Sequence, residues 1–384
     1  MAWCEPSRGL WARSQTALAR RERFPRGLIR APCFTGLVGD LKQRKVDHLD
    51  LCATDAVAFR ERTTLLENVQ LIHQSLPELA LADLDLSVTL LGKKLRAPLL
   101  IAAMTGGSDP SAEVNQTLSA IAESRGIGFG LGSQRAMQRS PETAWTYEVR
   151  KHAPTTLVLG NVGVVQAREQ STEMLAKLVA DIGADALCLH MNPAQELIQY
   201  EGDRDFRGCL PVYARLVKEL PVPVVAKETG AGISRETAAK LAQVGVRTID
   251  VSGAGGTSWV GVEALRAPNE PTKLLGEALW DWGVPTAAAV SYVASAGLTP
   301  IATGGIRSGL DVARALALGA KVAGIARPML QALRGGGREA AEAYLDRVIA
   351  ELRTVMLLCG ARTIAELQAA PKIIRGELRD WLQI

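Results

Sequence analysis

The chain has 384 residues, of which 47% are hydrophobic, 22% charged and 4% aromatic. This is the composition of a globular protein with room for one large barrel, and it holds too few aromatics for a base-stacking nucleic-acid platform. The formal net charge is +4, yet residues 1–37 carry seven arginines against two glutamates, which leaves the remainder at −1 and without a polyanion-binding character.

Residues 1–37 are rich in Arg, poor in acid and without a clear period. Two readings are open: a targeting peptide, or a translation start placed too far upstream with Val38 as a non-AUG start. The second is preferred. Either way this leader is expected to be disordered and is set apart from the fold. Residues 38–96 form an N-terminal segment that contains "RKVDHLDLC" (44–52). No apolar run approaches the roughly 18–20 residues of a membrane span. The six cysteines are scattered without a CxxC pair, which suits a reducing cytoplasm rather than disulfides or zinc.

From residue 97 short apolar runs recur: 97–104, 126–132, 155–162, 186–192, 222–228, 248–253, 298–305 and 320–327. Near-continuous apolar runs of this length predict parallel strands buried on both faces. Between them lie helical patterns at 111–126, 171–183, 234–245 and 308–320, each opening on Ser as an N-cap and closing near Gly. The run 280–297 resembles the helix before the seventh strand. Eight such units predict an α/β fold, a (β/α)₈ TIM barrel over 97–334, with a doubly wound sheet as the alternative. The tail 335–384 reads as amphipathic helices that cap the barrel or meet another subunit.

Functional residues of such a barrel sit at the C-terminal ends of its strands. Every apolar run here ends in polar or glycine-rich sequence: "MTGGSD", "GSQR", "GNVG", "HMNPAQE", "KETGAG", "SGAGGTSW", "TGGIR" and "ARP". The last two, at the ends of strands 7 and 8, predict a phosphate held by backbone N–H groups, against the blander reading of a plain strand–helix turn. Lys227 closes an apolar strand and needs an anionic or polar partner. A flavin N1–C2=O locus, anionic when reduced, would supply one, and so would a buried ion pair with Glu228 or another acid. Arg135 suits a bidentate grip on a diphosphate, or a surface ion pair.

"HMNPAQE" (190–196) packs His190, Asn192, Gln195 and Glu196 into one strand end. His190 and Asn192 face the same side of the strand. Glu196 suits Mg²⁺, which takes one or two carboxylates together with substrate phosphate oxygens and water. Gln195 can hold a reacting group but cannot act as a strong acid or base. The stretch reads as a substrate and metal grip whose proton chemistry comes from elsewhere, such as a cofactor. The alternative is that Gln195 and Glu196 only favour the start of the next helix.

The ordered set "RKVDHL", "AMTGG", "GSQR", "GNVG", "HMNPAQE", "EGDRDFRG", "KETGAGIS", "DVSGAGGTSW", "WGVPT" and "ATGGIRSGLD" resembles the type 2, flavin-dependent isopentenyl-diphosphate isomerases over about residues 42–365. The resemblance implies conversion of isopentenyl diphosphate to dimethylallyl diphosphate, with reduced FMN in acid–base chemistry, NADPH as electron donor and Mg²⁺. It implies FMN contacts from Met104, Thr105, Gly106, Ser133, Asn161, Lys227, Ser252 and Thr257, with the phosphate at Gly305, Ile306, Arg307, Ala326 and Arg327. Arg44, Lys45, Ser133, Gln134, Arg135 and Gln195 would bind substrate. His190 and Asn192 would line the pocket, Gln195 would act near the reacting carbons and Glu196 would bind the metal. A homo-tetramer or homo-octamer is also implied, with neither nucleic acid nor membrane as partner. The 37-residue leader departs from the family pattern, and Met191 stands where an aliphatic residue is common.

Three other readings compete. A 2-hydroxy-acid oxidase needs a histidine base and an arginine clamp near strand 6, where this chain has "SGAGGTSW" and no histidine after His190. An inosine-monophosphate-dehydrogenase-like barrel needs a cysteine after strand 6, and none lies between Cys209 and Cys359. A non-catalytic flavin-binding protein would have no use for Gln195, Glu196 and Arg135.

Overall fold

The computed structural model describes residues 41–384, so the expected leader and the first residues of the next segment lie outside the described residues. Eight parallel strands close into a barrel: β1 (Leu99–Ile101), β2 (Gly128–Gly130), β3 (Val158–Gly163), β4 (Ala186–His190), β5 (Val224–Lys227), β6 (Thr248–Asp250), β7 (Thr299–Ala302) and β8 (Val322–Ile325). Each pairs with its neighbour in sequence, and β8 pairs with β1 through Ala323 and Leu99. Seven fall inside an apolar run of the sequence, and β3 runs one residue past its run, to Gly163. Apart from Thr299 and His190, at the two ends of the wall, every strand residue is buried, as closure and an outer helix layer require.

The Ser caps hold at three of four helices. Ser171, Ser234 and Ser308 accept from the N–H groups of Met174, Thr237 and Asp311. The fourth is corrected. The helix after β1 spans Asp109–Arg125 with Ser108 at its N-cap and Pro110 in its first turn. Ser111 is buried within that turn and binds the Thr105 hydroxyl at 2.7 Å. Gly126 closes this helix at φ 63°, a left-handed position that favours glycine.

Before the barrel, Val88–Leu90 and Lys93–Leu95 form a hairpin around Leu91 and Gly92, both at positive φ as a two-residue turn of the primed type demands. The tail is not purely helical. One helix runs Arg327–Leu358 with a kink at Gly336 and Gly337, next to the expected boundary at 335. Lys372–Ile374 then forms a strand antiparallel to Val69–Leu71. Its β-branched pair Ile373–Ile374 suits a strand better than a helix. The tail is thereby tied to the segment before the barrel. Among the described residues no helix is long and apolar enough to cross a membrane.

Candidate active site

The helix Leu41–Cys52 places Arg44, His48 and Cys52 on one face at four-residue spacing, with Lys45 and Leu49 beside them. This face and the C-terminal ends of the strands line one cleft, which encloses about 1530 Å³ of space with the solvent at its mouth included. Of the residues singled out from the sequence, all but Gly106 and Gln134 line it.

Those two serve the wall instead. Gln134 is fully buried, and its Oε1 accepts from the Asn161 N–H at 2.9 Å. The alternation Ser133, Gln134, Arg135 turns the middle side chain away from the cleft. Gly106 packs against Tyr147, whose ring a Cβ at position 106 would meet at 2.1 Å.

At the end of β3, Asn161 donates its Nδ2–H to Leu131 O at 3.1 Å, so its Oδ1 is the acceptor for His190 Nδ1 at 2.8 Å. His190 therefore carries its proton on Nδ1 and leaves Nε2 without one. Burial pushes its pKa down to about 3, with Lys227, Lys45 and Arg135 adding to the shift, so the ring is neutral at physiological pH. Asn192 precedes Pro193 at the start of the Pro193–Ile198 helix but does not cap it. Its Nδ2 donates to Glu196 Oε1 at 2.8 Å and lies 3.3 Å from Gln195 Oε1. Glu196 Oε2 accepts from the Asp203 N–H at 2.8 Å, and the Arg204 guanidinium binds the Glu196 carbonyl. The "EGDRDF" loop thus wraps the carboxylate and fixes its direction.

Gln195 is held from behind by a residue that the sequence reading missed. Its Nε2 donates to Glu263 Oε1 at 3.0 Å, on the Trp259–Leu265 helix after β6. Glu263 also receives His48 Nε2 at 2.9 Å and Arg266 Nη1 at 2.9 Å. Burial opposes its charge, but His48, Arg266 and Gln195 overcome this and hold the carboxyl down at about 2. Burial lowers the pKa of His48, although the Glu263 carboxylate opposes that shift. Arg266 Nε reaches Asp47 at 3.1 Å, which gives the N-terminal helix a second tie to the same point. With its amide oxygen and nitrogen interchanged, the placement in which both find partners, Gln199 completes the cluster by accepting from Arg44 Nη1 at 2.9 Å and donating to Glu263 Oε1 at 3.2 Å.

Two groups of cations face the cleft. One is Arg44, Lys45 and Arg135. Burial lowers the Lys45 pKa to about 8, and the positive charges of Arg44 and Arg135 add to the shift. Arg44 Nε is buried without a partner, and Arg135 makes no salt bridge among the described residues. One buried donor without a partner, with two more cations half-buried beside it, suits an anion. The other group is at β7 and β8. Gly304 and Gly305 have φ of 96° and 77°, and a Cβ on Gly256 would meet Gly305 N at 2.4 Å. Beside this bare backbone, Arg327 is buried with Nη1 unpartnered, Asp55 lying 3.9 Å away. A glycine cradle, an orphaned guanidinium donor and Lys227 in one cleft fit the phosphate and the polar edge of a flavin mononucleotide. Lys227 lines the cleft and lies 3.3 Å from Asp250, so a buried acid stands beside it.

A closed parallel barrel with such a site defines a class, the flavin-dependent barrel enzymes. A family model for FMN-dependent dehydrogenases matches residues 39–196 and 210–374. Solved structures of that fold include a mandelate oxidase variant with an FMN monooxide adduct, 18% identical over 85% of this chain and 95% of that one, at a TM-score of 0.60. At that identity the likeness shows the fold alone. Isopentenyl-diphosphate delta-isomerases are much more similar. That of Methanosarcina mazei is 44% identical over 90% of this chain and 96% of its own. That of Methanosarcina barkeri is 45% identical over 90% and 95%, and that of a Nostoc species 44% identical over 90% and 99%. The chain belongs to the isopentenyl-diphosphate delta-isomerases of the FMN-dependent type 2, and it is an intramolecular isomerase.

Proposed function

We propose that the enzyme converts isopentenyl diphosphate to dimethylallyl diphosphate with FMN held reduced by NADPH and with Mg²⁺ bound at Glu196, as a step of isoprenoid biosynthesis in the cytoplasm. A homo-tetramer or homo-octamer is the assembly that the family resemblance favours. The observation that supports the reading best is that the described carboxylates around Gln195 are already engaged, Glu196 by Asn192 and the Asp203 N–H, Glu263 by Gln195, His48 and Arg266. His190 is pushed down to about 3, Glu263 is held at about 2, and Gln195 and Asn192 are amides. Reduced FMN supplies the acid–base group when bound.

The chain's own residues then bind and orient. Arg44, Lys45 and Arg135 grip the diphosphate, assisted by the metal that Glu196 holds. Asn192 sets the Glu196 carboxylate, and the wrapped loop keeps it aimed at the cleft. Glu263 fixes the Gln195 amide beside the reacting carbons. Trp259, Leu49 and Met104 offer the apolar wall that excludes water from a five-carbon chain. Met104, Thr105, Ser133, Asn161, Lys227, Ser252 and Thr257 lie against the flavin. Gly305, Ile306, Arg307, Ala326 and Arg327 take its phosphate.

Product analysis of isopentenyl diphosphate incubated with the FMN-loaded protein tests this. Dimethylallyl diphosphate should form only when NADPH or dithionite keeps the flavin reduced, and Mg²⁺ should be required. Equal turnover with oxidised flavin, or without flavin, would refute it.

A further inference from the structure

Asp250 ends β6 directly beside Lys227 of β5, and the two are register partners in the barrel wall. Both are buried, at 2% and 6% exposure, on two strands whose other residues are Val224, Val225, Ala226, Thr248 and Ile249. Lys227 Nζ donates to Glu228 O at 2.8 Å and lies 3.3 Å from Asp250 Oδ2, so two of its three protons are used and the third is available to the cleft. Asp250 Oδ1 in turn accepts from the Thr303 hydroxyl, whose oxygen accepts from the Ser252 N–H at 3.0 Å. Ser252 has a φ of 35°, unusual for a residue with a side chain, and it lines the cleft. The polar floor under Lys227 is therefore one connected unit: Lys227, Asp250, Thr303 and the strained backbone at Ser252.

A buried lysine facing a ligand would by itself apply an uncompensated positive charge to it. Here an equally buried carboxylate offsets most of that charge. We propose that Asp250 is a positioning residue that sets the reduction potential of the bound flavin by limiting how much positive charge Lys227 presents to it. This rests on the reading that FMN lies against Lys227. Two electrons and one proton convert oxidised flavin to the anionic dihydro form, whose negative charge Lys227 favours. With Asp250 in place that favour is small, and the reduced flavin keeps its electron density for proton exchange.

The test is a dithionite titration of the FMN-loaded protein against a reference dye. Asp250→Asn leaves Lys227 uncompensated, so the reduction equilibrium should move at least tenfold toward the reduced form, a rise of about 30 mV for a two-electron couple. Lys227→Met should move it the other way, and the double variant should return near the parent value. Should Asp250→Asn alone fail to fold or to keep its flavin, Thr303→Val, which removes the hydroxyl that supports the Asp250 carboxylate, is titrated in its place, and a smaller rise is expected. An unchanged or lowered potential in whichever of the two variants keeps its flavin overturns the proposal while flavin binding stands. A parent protein that takes up no FMN would instead sink the flavin reading on which the proposal rests.

Discussion

The two regions of the cleft proposed to take anions are built by opposite means. At β7 and β8 the region is a close-packed backbone, in which a Cβ on Gly256, Gly304 or Gly305 would strike a neighbouring loop, with the buried Arg327 beside it. At the other side the grip is made of side chains, Arg44 and Lys45 from the N-terminal helix and Arg135 from the β2 loop. That grip is held in place through His48 and Asp47–Arg266 to the helix after β6. A backbone cradle is set once the barrel forms, and it suits a resident cofactor. A side-chain grip can loosen and close, and its charge responds to pH, as binding and releasing a substrate requires.

The amide between the two regions gives the largest effect. Gln195→Ala should lower turnover about 10²–10³-fold, by analogy with loss of one oriented donor in a transition state. Substrate KM and bound FMN should change far less, and stopped-time product assays with melting curves would check this. If Gln195 only supports its helix, melting temperature falls and turnover per folded molecule stays.

Breaking the side-chain grip comes next. Lys45→Met should weaken inorganic diphosphate binding by about 1.5–3 kcal/mol, the range for a hydrogen bond to a charged group, or roughly 10- to 150-fold. FMN affinity should not follow. The pH dependence has a definite sign. Lys45 is charged below about 8 and neutral above it, so diphosphate affinity of the unliganded enzyme should fall as pH rises through about 8. Lys45→Arg should remove that fall, and calorimetric titrations from pH 7 to 9 would show it.

The cradle should answer in the opposite sense. Gly305→Ala puts a Cβ 2.3 Å from Thr64 Cγ2 at a φ of 77°. Strain of about 1–3 kcal/mol should weaken FMN by roughly 5- to 150-fold, with diphosphate binding retained. Fluorescence quenching of added FMN would measure it. The smallest effect is expected from Glu196→Gln. The amide keeps the shape and loses the charge, so diphosphate affinity should drop about tenfold in Mg²⁺ and little in its absence. Titration with and without the metal distinguishes the two.

Much of this was legible in the sequence because burial is costly for polar groups. A Lys, a His or a Glu at the end of an apolar strand has few structural reasons to be there, and this marked β4 and β5, while glycines and arginines marked β7 and β8. The residues that hold them were harder to see. Glu263 lies inside "WVGVEAL", on a helix rather than at a strand end, and its only signal was a lone acid in an apolar stretch. His48 was visible at four residues from Arg44, but its partner lies 215 positions away. Gln134 and Gly106 were drawn in by neighbours that do face the cleft, since a motif does not say which way each side chain turns. The strand Lys372–Ile374 was masked by the helical pattern around it, for its partner is at the far end of the chain.

A single cleft with two separate anion sites should hold cofactor and diphosphate together. Titrating inorganic diphosphate with Mg²⁺ into the FMN-loaded protein, while following bound flavin by its absorbance, tests that directly. One diphosphate should bind per chain with every flavin retained. Release of one FMN for each diphosphate bound would contradict it.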